Sequence, residues 1–270
     1  MYRFLLTPRW LGYLALALVA ATVMVLLGNW QHGRYEQRRD VNQRIAAAGT
    51  ATPVPLDSVV APGGTAGTPG PGPRAAAEWT RVTFTGRYDV ANVILVRGRT
   101  VDNEVGFEIV VPARLADGSA VLVDLGWVPA VPGGGAYAQP TVPPIPSGQV
   151  TVTGAVRLSE SRGTGVDRAE GRLETRRISL PRLAAELPYP VRGAFVQLDT
   201  QAPAADPGFS PIPPSHENDW LNLGYSVQWW LFAAMTLFAY GWLARREARS
   251  RRAGADGVDA DEAVAVAARD

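Results

Sequence analysis

Two histidines, His32 and His216, are the only imidazoles in 270 residues. A Ser-His-Asp arrangement would have to recruit one of them, and neither a GxSxG nor an HExxH motif is present. The chain has no cysteine, which excludes disulfides, thiolate zinc, iron-sulfur ligation and cysteine nucleophiles. All 26 basic residues are arginine, so no P-loop lysine or Schiff-base lysine is available. Soft Cu(I) is poorly served by Met1, Met24 and Met235 alone. The glycines of 63–72 stand in no strand-to-helix context and read as loop, not as a phosphate cradle. No catalytic residue and no metal cluster is expected, and the chain does not read as an enzyme.

Around the histidines lie side chains with two readings each. His32 follows Trp30 and Gln31 and precedes Arg34; His216 stands four residues before Trp220, and Tyr225, Gln228, Trp229 and Trp230 lie beyond it. Each histidine reads as a plain surface residue or as a ligand. Arg34 reads as an interface anchor or as a partner for a carboxylate. The mid-run tryptophans pack helices or meet a partner. Gln31, Asn222 and Gln228 are amides in apolar surroundings, where hydrogen bonds across a helix pair are expected.

The elements that must hold them are two long apolar runs. Residues 10–30 and 220–244 are free of formal charge, and each is long enough to span a bilayer as a helix. Trp10 and Trp30 bracket the first at about 30 Å, and Trp220 and Trp242 the second at about 33 Å. The first run exceeds the apolar core of a signal peptide and ends on Leu26-Leu27-Gly28-Asn29-Trp30, without a small-x-small cleavage site. An uncleaved anchor is expected. Five arginines, Arg245, Arg246, Arg249, Arg251 and Arg252, follow the second run against one Glu247, so the C-terminus is placed in the cytoplasm. Both termini then lie inside, with residues 1–9 cytoplasmic and 31–219 extracytoplasmic, in a bacterial plasma membrane. Arg34, Arg38, Arg39 and Arg44 oppose this order, and the stronger asymmetry of the second run decides. A helix over 31–48 and the outer ends of both spans would bring His32 and His216 to similar depth.

Residues 31–219 carry 18 arginines against 19 acidic residues, so no nucleic-acid face is expected. Residues 49–74 contain six Gly and six Pro and read as a flexible loop. From 79 to 200 the period becomes two, with strands expected over 79–88, 92–97, 105–113, 120–128, 149–158, 173–180 and 194–200. Asp117-Gly118 marks a hairpin, 181–187 a helical turn or two, and 140–146 an extended connector. The tail 245–270 is Arg-rich, then acidic and disordered. The expected class is a membrane protein of α+β type: two terminal transmembrane helices flanking an extracytoplasmic antiparallel β-barrel or β-sandwich.

The local motifs are familiar in order. GNWQHGR (Gly28, Trp30, Gln31, Arg34), Gly86 in VTFTGRY, Gly106, Phe107 and Pro112 in GFEIVVP, LVDLGWVP over 122–129, Gly154 and Arg157 in VTGAVR, and Tyr225, Gln228 and Trp229 in YSVQWW resemble the surfeit locus protein 1 family. The resemblance implies an assembly factor or chaperone for haem-copper cytochrome c oxidase, its partner being the catalytic subunit or an assembly intermediate in the lipid bilayer. It also raises haem as the cofactor, which asks only for one or two axial ligands and an apolar slot. Candidate cofactor-binding residues are His32, His216, Arg34, Gln31, Trp30, Tyr225, Gln228 and Trp229. Two departures stand out: Leu125 where the family has arginine, and Asn222 where it commonly has the histidine proposed to touch haem. A membrane-tethered β-domain acting purely as a protein scaffold is the alternative. An extracytoplasmic hydrolase is disfavoured, because no nucleophile-base pair is visible.

Overall fold

A computed structural model describes residues 3–133, 138–160, 165–214 and 218–267, with side chains as far as Arg252. The chain divides into two compact units, Met1–Asn42 with Glu217–Asp270, and Gln43–His216.

The first unit is helical. After a 3-10 turn at Arg3–Leu6, α1 (Pro8–Ala48) begins on a proline, tolerated in the first turn because that N–H has no helical partner anyway. It runs without a further proline to Gly49. Its counterpart α3 (Trp220–Ala267) passes through the arginine cluster and on into the segment whose composition predicts disorder. Pro8–Ala48 and Trp220–Arg252 are each long and apolar enough to cross a membrane. Their large apolar side chains are mostly exposed, while Ala17, Ala21, Ala233, Ala244 and Ala248 are buried. Small residues thus line the helix contact, the usual choice where lipid gives no hydrophobic drive for association.

Among the described residues the second unit is one mixed nine-stranded sheet with a short α-helix. Its strands are β1 (Val54–Pro55), β2 (Arg81–Tyr88), β3 (Ile94–Val101), β4 (Glu104–Arg114), β5 (Ala120–Pro129), β6 (Gln149–Leu158), β7 (Asp167–Ala169), β8 (Arg172–Thr175) and β9 (Val191–Ala202), with α2 (Leu180–Ala185) before the last. The order is β1-β2-β6-β9-β5-β4-β3-β8-β7, and β2 also pairs with β4 through Arg87↔Arg114 and Tyr88↔Ala113. The pairings β2-β6-β9-β5-β4-β2 therefore form a circuit. The expectation of an antiparallel sheet is corrected: β1 with β2, β3 with β8 and β5 with β9 run parallel. Parallel pairs need crossovers, and α2 lies in one of them.

Alternation along β5 sends Val121, Val123 and Leu125 into the main core with Val82, Leu95, Ile109 and Val152. Ala120 and Leu122 face a second cluster, in which Ile94, Val96 and Val110 pack against Leu180, Leu183 and Ala184 of α2. The expected strand 173–180 ends at Thr175, whose hydroxyl bonds the Arg177 carbonyl and amide in a turn, and Leu180 and Pro181 then open α2. The first hairpin turns on Asp102 and Asn103, both at positive φ, the conformation that the two-residue turn demands. The expected Asp117-Gly118 turn is present, with Asp117 accepting from the Ser119 amide and hydroxyl and Gly118 at φ 81.

The Gly/Pro-rich 49–74 segment differs most from its composition. Leu56 and Val60 are buried in the main core, and Pro69 bridges Val191 while the Gly70 amide donates to the Val191 carbonyl. Arg192, almost wholly buried, pins the segment: its guanidinium reaches Asp57 (2.6 Å), the Val60 carbonyl (2.8 Å), Asp117 (2.8 Å) and the Ser119 hydroxyl (3.2 Å). A few apolar anchors and one buried cation order a segment that a residue count reads as unable to bury surface.

Candidate functional site

In the helical unit Gly28, His32 and Glu36 follow one another at i, i+4 spacing in the C-terminal half of α1 and so share a face. The His32 Nε2 lies 3.5 Å from a Glu36 carboxylate oxygen, and its ring centroid is 5.8 Å from Tyr35 and 5.7 Å from Trp230. The His32 Nδ1 is buried and has no hydrogen-bond partner among the described residues. Trp230 reaches α1 because Gly28 has no side chain: a Cβ there would overlap the indole. The indole Nε1 donates to the Asn29 side-chain oxygen at 3.2 Å. Further out, Arg38 donates to the Asn218 carbonyl at 2.9 Å.

The structure thus brings together His32, Trp230, Asn29 and Gly28, of which sequence reasoning singled out the first as a site. Of the two tryptophans read as packing helices or meeting a partner, Trp230 makes the contact with α1, while Trp229 meets Phe232 of its own helix edge-on. Trp30, Arg34, Tyr225 and Gln228 are exposed and Gln31 is half-buried. His216 lies outside the described residues. The expected amide bonds from Gln31, Asn222 and Gln228 across the helices are corrected. Among the described residues the amide that crosses is Asn29, while the Asn222 Nδ2 is buried without a partner and the Asn222 carbonyl accepts from Ser226. Helical phase explains the error, since a one-residue offset turns a side chain by about 100°.

The β unit holds a second polar constellation, which the sequence reading missed. Asp124 follows Ala120 and Leu122 on their face of β5, is almost wholly buried, and accepts one hydrogen bond, from the Gly126 amide at 3.2 Å. Burial, and next the charge of Glu108, hold its carboxyl well above the ordinary 3.8. Burial also raises the Glu108 carboxyl above 4.5, against the pull of Arg99. Arg99 pairs with Glu108 at 3.0 Å and with Glu160 at 2.7 Å, and Glu160 accepts from the Ile178 amide. Arg157 lies 3.8 Å over the Trp79 ring, donates to Gln197 at 3.0 Å and pairs with Glu78 at 3.4 Å. The signal available in advance was an acid in the middle of an apolar β-run: Asp124 interrupts VLVDLGWV. Among the described residues no group of three or more His, Cys, Asp or Glu is placed to hold a metal ion.

A model of the SURF1 family matches residues 18–234. The chain belongs to the SURF1 family. SURF1-like proteins of Mycobacterium tuberculosis and Mycobacterium bovis are 32% identical to it over 254 residues, which cover 92% of this chain and 88% of theirs.

Several residues that carry the SURF1 likeness have close-approach roles in the fold. Gly28 seats Trp230; Gly106 lies where a Cβ would overlap the Trp127 ring and the Val128 carbonyl; Gly154 faces the Gln197 carbonyl in the same way. Gly126 has φ 133, and a Cβ there would meet the Ser210 carbonyl at 2.7 Å. Trp127, pinned beside these glycines, donates from its indole to the Arg99 carbonyl at 3.1 Å. Leu125, where SURF1 proteins usually have arginine, is the extra residue of a bulge opposite Ile109 and Val110, and its side chain lies in the main core. A charge in that apolar setting would need a buried partner.

Proposed function

We propose that this SURF1 protein assists the assembly of haem-copper cytochrome c oxidase from the bacterial plasma membrane. Both termini lie in the cytoplasm in this reading, and residues 31–219 work outside as a β-barrel-like domain. The observation that carries it is family membership over most of the chain. The two apolar terminal helices and the arginine cluster after the second support the orientation. The partner is the catalytic subunit or its assembly intermediate.

In the finer reading the protein holds haem during insertion. Haem binds through axial ligation of its iron, and the free Nδ1 of His32 gives this chain one imidazole nitrogen suited to that role. Trp230 and Tyr35 fix the ring's plane, and Glu36 engages its other nitrogen. Arg34, exposed one turn from Gln31, supplies a charge for a propionate, with Trp30 and Tyr225 near the same span ends, Trp229 deeper, and His216 as the other imidazole, while Gln228 faces away from α1 and does not join the group. The scaffold reading rests on Asn222, whose amide is a poor iron ligand where the family's histidine stands. Deleting the gene and recording reduced-minus-oxidised spectra tests the main proposal: cytochrome oxidase haem signal falls while its polypeptides are still made. Unchanged oxidase content refutes it. The visible spectrum of protein purified from membranes, with and without His32→Ala and His216→Ala, decides between haem carrier and scaffold. A reporter in 49–74 that reads cytoplasmic would overturn the orientation.

A further inference from the structure

The two faces of α3 differ in a way that lipid alone does not account for. One face packs on α1: Ser226 is fully buried, Ala233, Ala244 and Ala248 nearly so, and Trp230, Thr236 and Tyr240 contact Asn29, Met24 and Trp10. The opposite face carries Leu221, Gly224, Gln228, Leu231, Met235, Phe238 and Trp242, alternating in steps of three and four. That is a seven-residue repeat over three heptads, about six turns, the spacing that keeps one seam in register along a left-handed helix pair. Every large apolar residue on it is more than half exposed, and a Cβ at Gly224 would meet nothing within 4 Å.

One member of this seam is polar. Gln228 lies eight residues inside Trp220, about 12 Å down the helix axis and well within the hydrocarbon. It is exposed on the far side from α1 and makes no hydrogen bond among the described residues. A primary amide is too short to reach the interface from that depth, and unpaired donors and acceptors in hydrocarbon are costly. The amide needs an intramembrane partner from outside this chain.

We propose that this partner is the same seam of a second copy, the two α3 helices crossing at Gln228 about a two-fold axis. An amide offers both a donor and an acceptor, so two of them facing across a two-fold axis satisfy each other, as an isologous contact requires. Gly224, one turn outward, lets the backbones approach beside the amide pair. No charged residue lies between Trp220 and Ala244 to repel a parallel copy. A single polar residue in an otherwise apolar seam also sets its register.

The chain has no cysteine, so each introduced thiol is unique. Gly224→Cys, Leu231→Cys, Met235→Cys and Phe238→Cys, made one at a time in the full-length protein and oxidised in native membranes, are expected to give a disulfide-linked species of twice the chain mass. Ala234→Cys, exposed but about a quarter turn off the seam, gives background. In the Leu231→Cys protein, Gln228→Leu is expected to weaken dimerisation about 3-fold to 20-fold, the range of interhelical polar contacts, and Gln228→Asn to retain most of it. Leucine is the more apolar residue, so loss of the adduct with undiminished membrane content is a failure of pairing, not of insertion. Seam positions no better than Ala234, an adduct that contains a different polypeptide, or a dimer indifferent to Gln228→Leu would each overturn the proposal. An assembly defect of Gln228→Leu with the dimer intact would assign the amide to a client helix instead.

Discussion

Arg192→Met tests the account of how the Gly/Pro-rich segment is ordered. Methionine keeps much of the arginine's volume and removes all four of its polar contacts. The exposed partners lose little: Asp57 is 74% exposed and Asp117 37% exposed at the side chain, so both carboxylates return largely to water and their pairs count for less than about 1 kcal/mol each. The larger loss is inside. The Val60 carbonyl stays buried without its donor, at about 1–3 kcal/mol for such a group, while the Ser119 hydroxyl keeps its bond to Asp117. A net destabilisation of about 3 kcal/mol is expected, near the lower end for breaking a buried ion pair. For a unit of this size that is a fall in Tm of about 6–12 °C. Thermal unfolding of the full-length protein in detergent, followed by tryptophan fluorescence, gives the number, and limited proteolysis within 49–72 reports the local release. A Tm within 2 °C of the parent, with 49–72 no more readily cleaved, would refute the reasoning. Asp57→Asn in parallel should cost less than about 1 kcal/mol.

Three further outcomes follow from the structure. Asp124 holds its proton above the ordinary 3.8 in the folded state, so its contribution is complete below that pH and declines as pH rises toward the folded value; Asp124→Asn should flatten this decline of Tm with pH, leaving a smaller slope of the same sign from Glu108. Asp117 is shifted the other way: although burial opposes it, the Ser119 donors and Arg192 together lower it, so Asp117→Asn should remove a loss of stability seen below about pH 4 in acid titrations. Gly28→Leu drives a side chain into the Trp230 indole and should cost about 1–3 kcal/mol of helix pairing, read as faster protease access to α1 and quenched or shifted Trp230 fluorescence.

Strand positions were legible where the alternation was clean, as at 149–158, which matches β6 to the residue. They were illegible where pairing is decided at a distance. Nothing local in Ala120–Pro129 tells that β5 runs parallel to β9, because that choice depends on a crossover some sixty residues later. Composition misled at 49–74 for a related reason, since Leu56, Val60 and the reach of Arg192 are single residues whose effect appears once their partners are placed. Where Gly28 and Trp230 meet, the residue types were readable and the phase was not. Trp229 and Trp230 are neighbours in sequence, and their difference of about 100° around the axis decides which one meets Gly28 and His32.

The circuit of strand pairings has joins of very unequal length. Between β4 and β5 nine residue pairs are in register, and between β6 and β9 eight, but β2 and β4 share two. Opening energy is distributed in the same way, because each join must be parted pair by pair. The Asp89 amide, which donates to the Pro112 carbonyl at the end of this join (2.8 Å), should therefore exchange with solvent deuterium well before those in the middle of β5. In folding, the β4-β5 join can form as a local hairpin, whereas the two-pair seam has few pairs to hold it closed. It is the place where the β unit breathes without unfolding.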